Sequence, residues 1–371
     1  MNLSDPMAQR SLELRHRVVI SPMCQYSATD GLPDDWHRVH LGSRAVGGAA
    51  LVITEATAVS TEGRITHGDT GLWNDAQVDA WRPIVRFIQS SGALAGVQLA
   101  HAGRKASAQR PWEGGASLPA GQGDWLTVAP SALPFDAGWH TPQALDGAGI
   151  RQVVADFRAA AQRALAAVPL AADGNERSIK VFAGREIEYG GCFDNRTRIV
   201  REVIAAVREV WPAELPVWLR ISATDWAEND AGWNIEQSVQ LARQVKSLGV
   251  DLIDVSSGGN LAHARITTGP GYQVPFAARI KREADIATGA VGMITEPEQA
   301  QAIIANGEAD VVLIARESLR DPYFPRRAAM ALGASIDPPV QYGRACSAVE
   351  RGFDPRAAGL NRQPAGGAAG S

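Results

Sequence analysis

The chain has 371 residues, 36 of them Lys or Arg and 40 Asp or Glu, for a net charge of −4, with 45% hydrophobic and 20% charged residues. That is an ordinary globular composition without the basic field that nucleic acid or an anionic membrane selects, so neither is expected as a partner. No apolar run is long enough to span a bilayer, and residues 1–10 lack the charged start and apolar stretch of a secretory signal, so a cytoplasmic location is expected. In chain order, Val18, Val19 and Ile20 suit a strand buried on both faces, and Pro22 ends its ladder for want of an N–H. Cys24 and Tyr26 follow at period two, so both can face one ligand. Taken alone, the stretch 18–26 reads first as a small buried thiol and a core aromatic.

A helix is expected over 34–46, with Asp34 or Asp35 at its start and Gly47-Gly48 at its end. Strand 50–55, helix 74–91 and strand 94–101 follow. From 102 to about 146 periodicity fails and Gly and Pro accumulate, which suggests a functional loop or lid, with Trp112, Trp125 and Trp139 to pack it. Beyond it, helix 150–167, helix 198–210, strand 217–221, helix 235–248, strand 251–255, helix 275–283, weak strand 286–291, helix 296–306 and strand 310–314 restore the alternation. The interval 167–189 leaves room for one more strand. Eight such units predict an α/β protein of the (β/α)₈ TIM-barrel class, with a long excursion after strand three and chemistry at the carboxyl ends of the strands. A doubly wound fold is disfavoured because no Gly-x-Gly-x-x-Gly follows a strand and opens a helix.

Cys24, Cys192 and Cys346 form no close pair, so neither a disulfide framework nor a structural zinc site is expected. His37 and His40 stand at i, i+3 without a third ligand nearby, so they read as helix or core histidines and no metal site is expected. The predicted strand ends carry Ser21, Pro22, Met23, Cys24 and Tyr26; Glu55, Ala56 and Thr57; Gln98, His101, Arg104 and Lys105; Arg220; Ser256, Ser257 and Gly258; Gly289 to Met293, including Gly292; and Ala315 and Arg316. Glycine- and arginine-containing loops after the last two strands are the usual barrel address of a phosphate. An amide (Gln98) and a guanidinium (Arg220) in the same mouth suit a planar, electron-rich ring. Flavin mononucleotide fits both halves. For either residue alone, a partnership with a barrel carboxylate accounts for it equally well.

From about 18 to 344 the chain resembles the Old Yellow Enzyme family of flavin-dependent ene reductases, in the branch of the thermophilic-like and xenobiotic reductases. The resemblance is carried by SPMCQY at 21–26, DWH at 35–37, TEATAV at 54–59, QLAHAGRKA at 98–106, YGG at 189–191, DNR at 194–196, RIS at 220–222, TGAVGMI at 288–294, ARESLRDPYFP at 315–325 and VQY at 340–342. It implies a homodimeric or homotetrameric FMN protein in which NADPH or NADH reduces the flavin, which passes hydride to the β-carbon of an activated alkene. FMN contacts map by resemblance onto Ser21, Pro22, Met23, Cys24, Ala56, Gln98, Arg220, Gly292, Ala315 and Arg316. Arg220 would stabilise the charge developing at the N1/O2 edge of the ring, and Cys24 would tune its potential. Tyr26 would line the substrate site beside Cys24, the two being the implied catalytic pair. Arg344 matches an arginine that reaches into a neighbouring subunit's substrate site. Ala315 stands where relatives usually carry Gly.

The match breaks over 166–188, AAVPLAADGNERSIKVFAGREIE, where relatives have a fourth strand and His-x-x-His-Gly-Tyr-Leu. That histidine pair holds the substrate's carbonyl or nitro oxygen and the tyrosine donates the proton, so neither role can be carried over. His101, Lys105, Tyr189 and Arg185 are candidate substitutes, each better explained by a structural role. Abrupt loss between closely matching flanks points to a local out-of-frame replacement, and resequencing that segment for His-x-x-His-Gly-Tyr in another frame tests it. Strand four is then expected at 179–182, or badly formed. Residues 1–345 are expected as a single FMN-binding barrel domain and 346–371 as a disordered tail. Two further readings compete: a flavin-binding barrel limited to slow NAD(P)H oxidase or quinone reductase activity, and a metal-dependent barrel hydrolase, which would be colourless.

Overall fold

The computed structural model describes residues 1–167, 178–182, 192–227 and 232–345. The expectations for Arg185, Tyr189, Cys346 and the 346–371 tail lie outside the described residues, as does most of 168–191. The chain divides into two compact units, Met1–Ser335 and Ile336–Ser371. The second contributes a described 3₁₀ turn, Val340–Tyr342.

The first unit opens with an antiparallel hairpin, β1 (Met7–Gln9) and β2 (Leu12–Leu14), before β3 (Val18–Ile20). Helix α1 (Asp35–Val46) starts where Asp34 accepts from the Trp36 N–H and His37 answers in a capping box, as the acidic start predicts. Then come β4 (Leu51–Ala58), α2 (Asp75–Ser90, capped by Asn74 and Gln77) and β5 (Leu94–Ala100). The excursion contains short 3₁₀ turns and the two-residue strands β6 (Val128–Ala129) and β7 (Gln143–Ala144). Trp125 donates its indole N–H to the Glu62 carbonyl and Trp139 packs edge-on against Phe135, whereas Trp112 is exposed. Helix α3 (Gly147–Ala167) starts three residues before the expected 150. It is followed by β8 (Ser178–Phe182), α4 (Phe193–Arg196), α5 (Arg198–Val210), β9 (Val217–Ser222), α6 (Ile235–Ser247), β10 (Leu252–Ser256), α7 (Val274–Ala284), β11 (Ala287–Ala290), α8 (Pro297–Ala305), β12 (Val311–Ile314), α9 (Arg316–Arg320) and α10 (Phe324–Ala331).

Eight parallel strands close in the order β3-β4-β5-β8-β9-β10-β11-β12 and back to β3. This is the predicted barrel. β8 is in place despite its unpromising sequence, paired to β5 through Gln98↔Lys180 and to β9 through Phe182↔Arg220. Two apolar clusters follow from burial on both faces of each strand. The outer one lies between strands and helices and includes Ile204, Val207, Ile280 and Ile304. The inner one holds Val19, Leu51, Trp218, Leu252 and Leu313, joined by Leu12 and Leu14 of the hairpin. The hairpin therefore plugs the amino end of the barrel: Gln9 accepts from the Trp218 indole at 2.6 Å and Arg10 pairs with Asp251, just before β10. Of the two barrel ends, the hairpin closes the amino one and leaves the carboxyl one open.

His16 locks the entry to β3 in one protonation state. Its Nε2 faces the Gly48 carbonyl at 2.8 Å and must carry the proton, while Nδ1 accepts the Val18 N–H at 3.2 Å. Burial lowers its pKa from 6.5 to about 4. A folded-state pKa below the unfolded one means stability that is complete above about pH 6.5 and lost as pH falls toward 4, on the order of 3 kcal/mol for this group. Urea unfolding from about pH 7 to about pH 5 should show that decline, and His16→Gln should flatten it.

Candidate functional site

At the carboxyl end of the strands lies a cavity of about 710 Å³, within the range of small-molecule and cofactor sites. The loop leaving β3 delivers two of its side chains. Tyr26 has a left-handed backbone (φ 52°), and a Cβ on Gly68 would run into the Tyr26 carbonyl, so a glycine there permits the close approach. The bend turns Cys24 and Tyr26 into the cavity with Pro22 beside them. Ser21 and Met23 are placed differently from the rest of the expected set. Ser21 sits behind the wall, its hydroxyl oxygen accepting from Arg220 at 3.2 Å, and Met23 packs on the outer apolar cluster. Burial, then the charges of Asp69 and Glu55, push the Cys24 thiol upward; burial, then Cys24 and Asp69, do the same for the Tyr26 phenol. Both are therefore protonated at neutral pH. Tyr26 is a hydroxyl donor there, and Cys24 is not a thiolate.

Ala56 of β4, Gln98 of β5 and Arg220 of β9 line the same cavity, with Gly292, Ala315 and Arg316 across from them after β11 and β12. Arg220 has the barrel-carboxylate partner that one reading of it allowed, the fully buried Asp254 at 2.9 Å, and it also stands in the cavity wall. Burial draws its pKa down to about 10, so it remains charged at neutral pH. Gln98 has no carboxylate partner: it is 3% exposed, and its carboxamide makes no hydrogen bond to the described residues. A buried amide left open toward a cavity, beside a guanidinium, is a donor set suited to a flat heterocycle edged with carbonyls and ring nitrogens. Gly292 has φ 127°, and a Cβ there would press on the Gln273 amide, so backbone alone forms that part of the wall.

On the lid side, Lys105 Nζ donates to the Gly259 carbonyl at 2.8 Å and lies 4.7 Å from the Phe135 ring centre. Arg104 donates to the Asn260 carbonyl at 3.0 Å, so this turn clips the excursion to the loop after β10. His101 also lines the cavity; its Nδ1 accepts the Gly103 N–H at 3.1 Å, and burial lowers its pKa. His37 and His40 are both buried in α1, as core histidines would be. Arg344 belongs to the second unit, Ile336–Ser371. Among the cavity residues that the strand-end pattern did not mark are Asp69 and Tyr272. Asp69 lies in an aperiodic loop, where it accepts from the Ile65 and Thr66 N–H groups. Tyr272 follows a Gly-Pro-Gly run just before α7, and only such turn chemistry marked it.

A sequence profile of the NADH:flavin oxidoreductase / NADH oxidase family matches residues 2–176 and 180–334. The chain belongs to that family. An NADPH dehydrogenase from Geobacillus sp. (strain WCH70) is 43% identical over 352 residues, covering 92% of this chain and 98% of the relative. One from Listeria innocua is 46% identical over 346 residues, covering 91% and 96%. Among solved structures, a morphinone reductase aligns with a TM-score of 0.70 at 27% identity, covering 92% of each chain. The Old Yellow Enzyme homologue from Zymomonas mobilis aligns with a TM-score of 0.69 at 24% identity, covering 92% and 95%, and supports the fold. This family member is thus an Old Yellow Enzyme-type barrel and an oxidoreductase that uses flavin. Among the described residues, no helix is long and apolar enough to cross a membrane.

Proposed function

We propose that the protein is an FMN-dependent, NADPH-consuming reductase of activated alkenes, acting as a homodimer or homotetramer on enones and related electron-poor substrates. The observation that carries the reading is the pairing of the open Gln98 carboxamide with the charged Arg220 guanidinium on one cavity wall. Gln98, Arg220, Cys24, Pro22 and Ala56 would hold the ring, and Gly292, Ala315 and Arg316 the phosphate end. FMN, when bound, supplies the acceptance of hydride from the nicotinamide and its delivery to the alkene. Arg220, fixed by Asp254 and Ser21, provides positive charge where electron density accumulates, at no reorganisation cost. Tyr26, protonated and facing the cavity, donates a hydrogen bond to substrate. The walls around Val128, Leu145 and Phe157 supply the apolar surface that excludes water.

The second reading, a flavin barrel limited to slow oxidase or quinone reductase activity, is favoured by one observation: residues 166–188 contain neither the histidine pair nor the tyrosine of relatives. Purified protein given FMN, NADPH and cyclohexenone separates the two. Alkene-dependent NADPH consumption well above the oxygen background supports ene reduction. Flavin reduction without alkene turnover supports the second reading. A protein that retains no flavin even when offered it defeats both.

A further inference from the structure

The bend that carries Cys24 and Tyr26 is anchored from outside the cavity by the first turn of α1. The Gln25 N–H donates to Glu55 Oε2 at 2.8 Å, and Glu55 Oε1 lies 3.1 Å from His37 Nε2. His37 Nδ1 lies 2.8 Å from Oδ1 of Asp34, the helix cap. The Gln25 side chain is also tied down: Nε2 donates to the Met23 carbonyl at 2.9 Å, and Oε1 accepts the Trp36 indole N–H at 3.1 Å. The His37 and Glu55 side chains are 1% and 3% exposed, whereas that of Asp34 is 56% exposed. A carboxylate–imidazole–carboxylate line therefore runs from solvent to the one peptide that separates two cavity-lining side chains. Capping accounts for Nδ1, which when unprotonated accepts the Asp34 N–H at 3.0 Å, but it does not call for the contact of Nε2 with Glu55.

We infer that His37 and Glu55 are positioning residues: their ion pair fixes the Gln25 peptide and thereby aims Cys24 and Tyr26 at the flavin site. The meaning for the flavin rests on the function proposed above, but the anchor itself does not. Charge matters because one proton decides the geometry: protonated, His37 pairs with Glu55 through Nε2 and donates from Nδ1 to Asp34 Oδ1; neutral at Nδ1, it accepts the Asp34 N–H of the capping box instead. The groups facing His37 are Asp34 on its own helix, Glu55 on β4, His40 one turn on with Arg44 behind it, and the edge of Trp81 from α2; Glu55 in turn faces Asp69. Burial opposes charge on His37, but the bonds to Glu55 and Asp34 outweigh it and hold its pKa above the ordinary histidine value. A raised folded-state pKa means an anchor that is complete at low pH and relaxes as pH rises through that value.

The test uses the full chain with Cys192→Ser and Cys346→Ser, so that maleimide labelling reports Cys24 alone. Near about pH 6, His37→Gln should speed labelling about tenfold, the scale of losing one charge-assisted contact. Any change in Cys24 acidity caused by the lost charge multiplies the ratio by a constant while the thiol is far from its pKa, so the readout is the trend: the ratio of variant to parent should fall as pH rises from about 6 through the His37 pKa and the parent's own anchor relaxes. Glu55→Gln should show the same fall with pH, on top of a constant rise because a negative charge that raises the Cys24 pKa is lost, and Trp36→Phe, at an exposed site, should give a smaller rise. A ratio that stays constant across this range, or labelling within about twofold of the parent in both buried variants, overturns the inference. Should His37→Gln not fold, unchanged labelling in Glu55→Gln and Trp36→Phe overturns it as well. Failure to retain flavin would count against the proposed function and leave the labelling outcome standing.

Discussion

Replacing Arg220 by methionine is expected to cost about 3–5 kcal/mol of unfolding free energy, the scale of removing one partner from a buried ion pair. Asp254 has a side-chain exposure of 0% and receives the guanidinium at 2.9 Å, while Arg220 itself is only 16% exposed. Methionine fills much of the space but withdraws the Arg220 charge from a carboxylate that water cannot reach. The loss should shrink in Arg220→Met with Asp254→Asn, because the amide removes the buried charge. It should be small in Arg220→Lys, which keeps a cation near Asp254. Flavin binding should separate from stability across this set. The double variant regains stability but still lacks the Arg220 guanidinium beside Gln98, so its flavin affinity should stay about ten- to a hundredfold down, as expected for a lost charge-assisted bond. Urea titrations and flavin fluorescence on the same samples measure both quantities. An Arg220→Met protein within about 1 kcal/mol of the parent would refute this account of the pair.

Trp218→Ala should be equally destabilising, by about 3–5 kcal/mol, with the opposite signature at the site. The Trp218 side chain is 1% exposed in the inner cluster with Leu12, Leu14, Leu51 and Leu252, and its indole N–H meets Gln9 at 2.6 Å. Truncation opens a cavity in the barrel floor and strips the buried Gln9 oxygen of its donor. Trp218→Phe keeps most of the volume and loses only that bond, so about 1–3 kcal/mol is expected. Since the floor lies at the strands' amino ends and the cavity at their carboxyl ends, flavin affinity per folded molecule should match the parent in both variants. A drop in affinity in the folded fraction would show that the two ends are coupled.

The local signals in the chain were strong wherever one residue type has one structural use. Asp34 or Asp35 marked the start of α1, where Asp34 is the cap; helical spacing marked α2, and the apolar spacing of Ile199, Val200, Val203, Ile204 and Val207 outlined α5 to its ends. Alternation of apolar runs with amphipathic helices then determined the barrel, because parallel strands buried on both faces close in few ways. Strand β8 was harder to read: its flanks are rich in breakers, and it is pinned by ladders to β5 and β9 that no local propensity encodes.

Site membership was partly legible in the same way, since barrel topology places strand ends at one mouth and so brought Cys24, Tyr26, Gln98, Arg220 and Arg316 together. What each side chain faces was not. That Arg220 is held by Asp254 while Gln98 is left open depends on which strands neighbour one another around the ring, a distance of 34 residues in one case. That Ser21 and Met23 turn away while Asp69 and Tyr272 turn inward depends on loop backbones set by long-range contacts such as Gly68 against Tyr26. Sequence period determines which residues share a face; only the closed fold decides which buried polar groups find partners in the protein and which are left for a ligand.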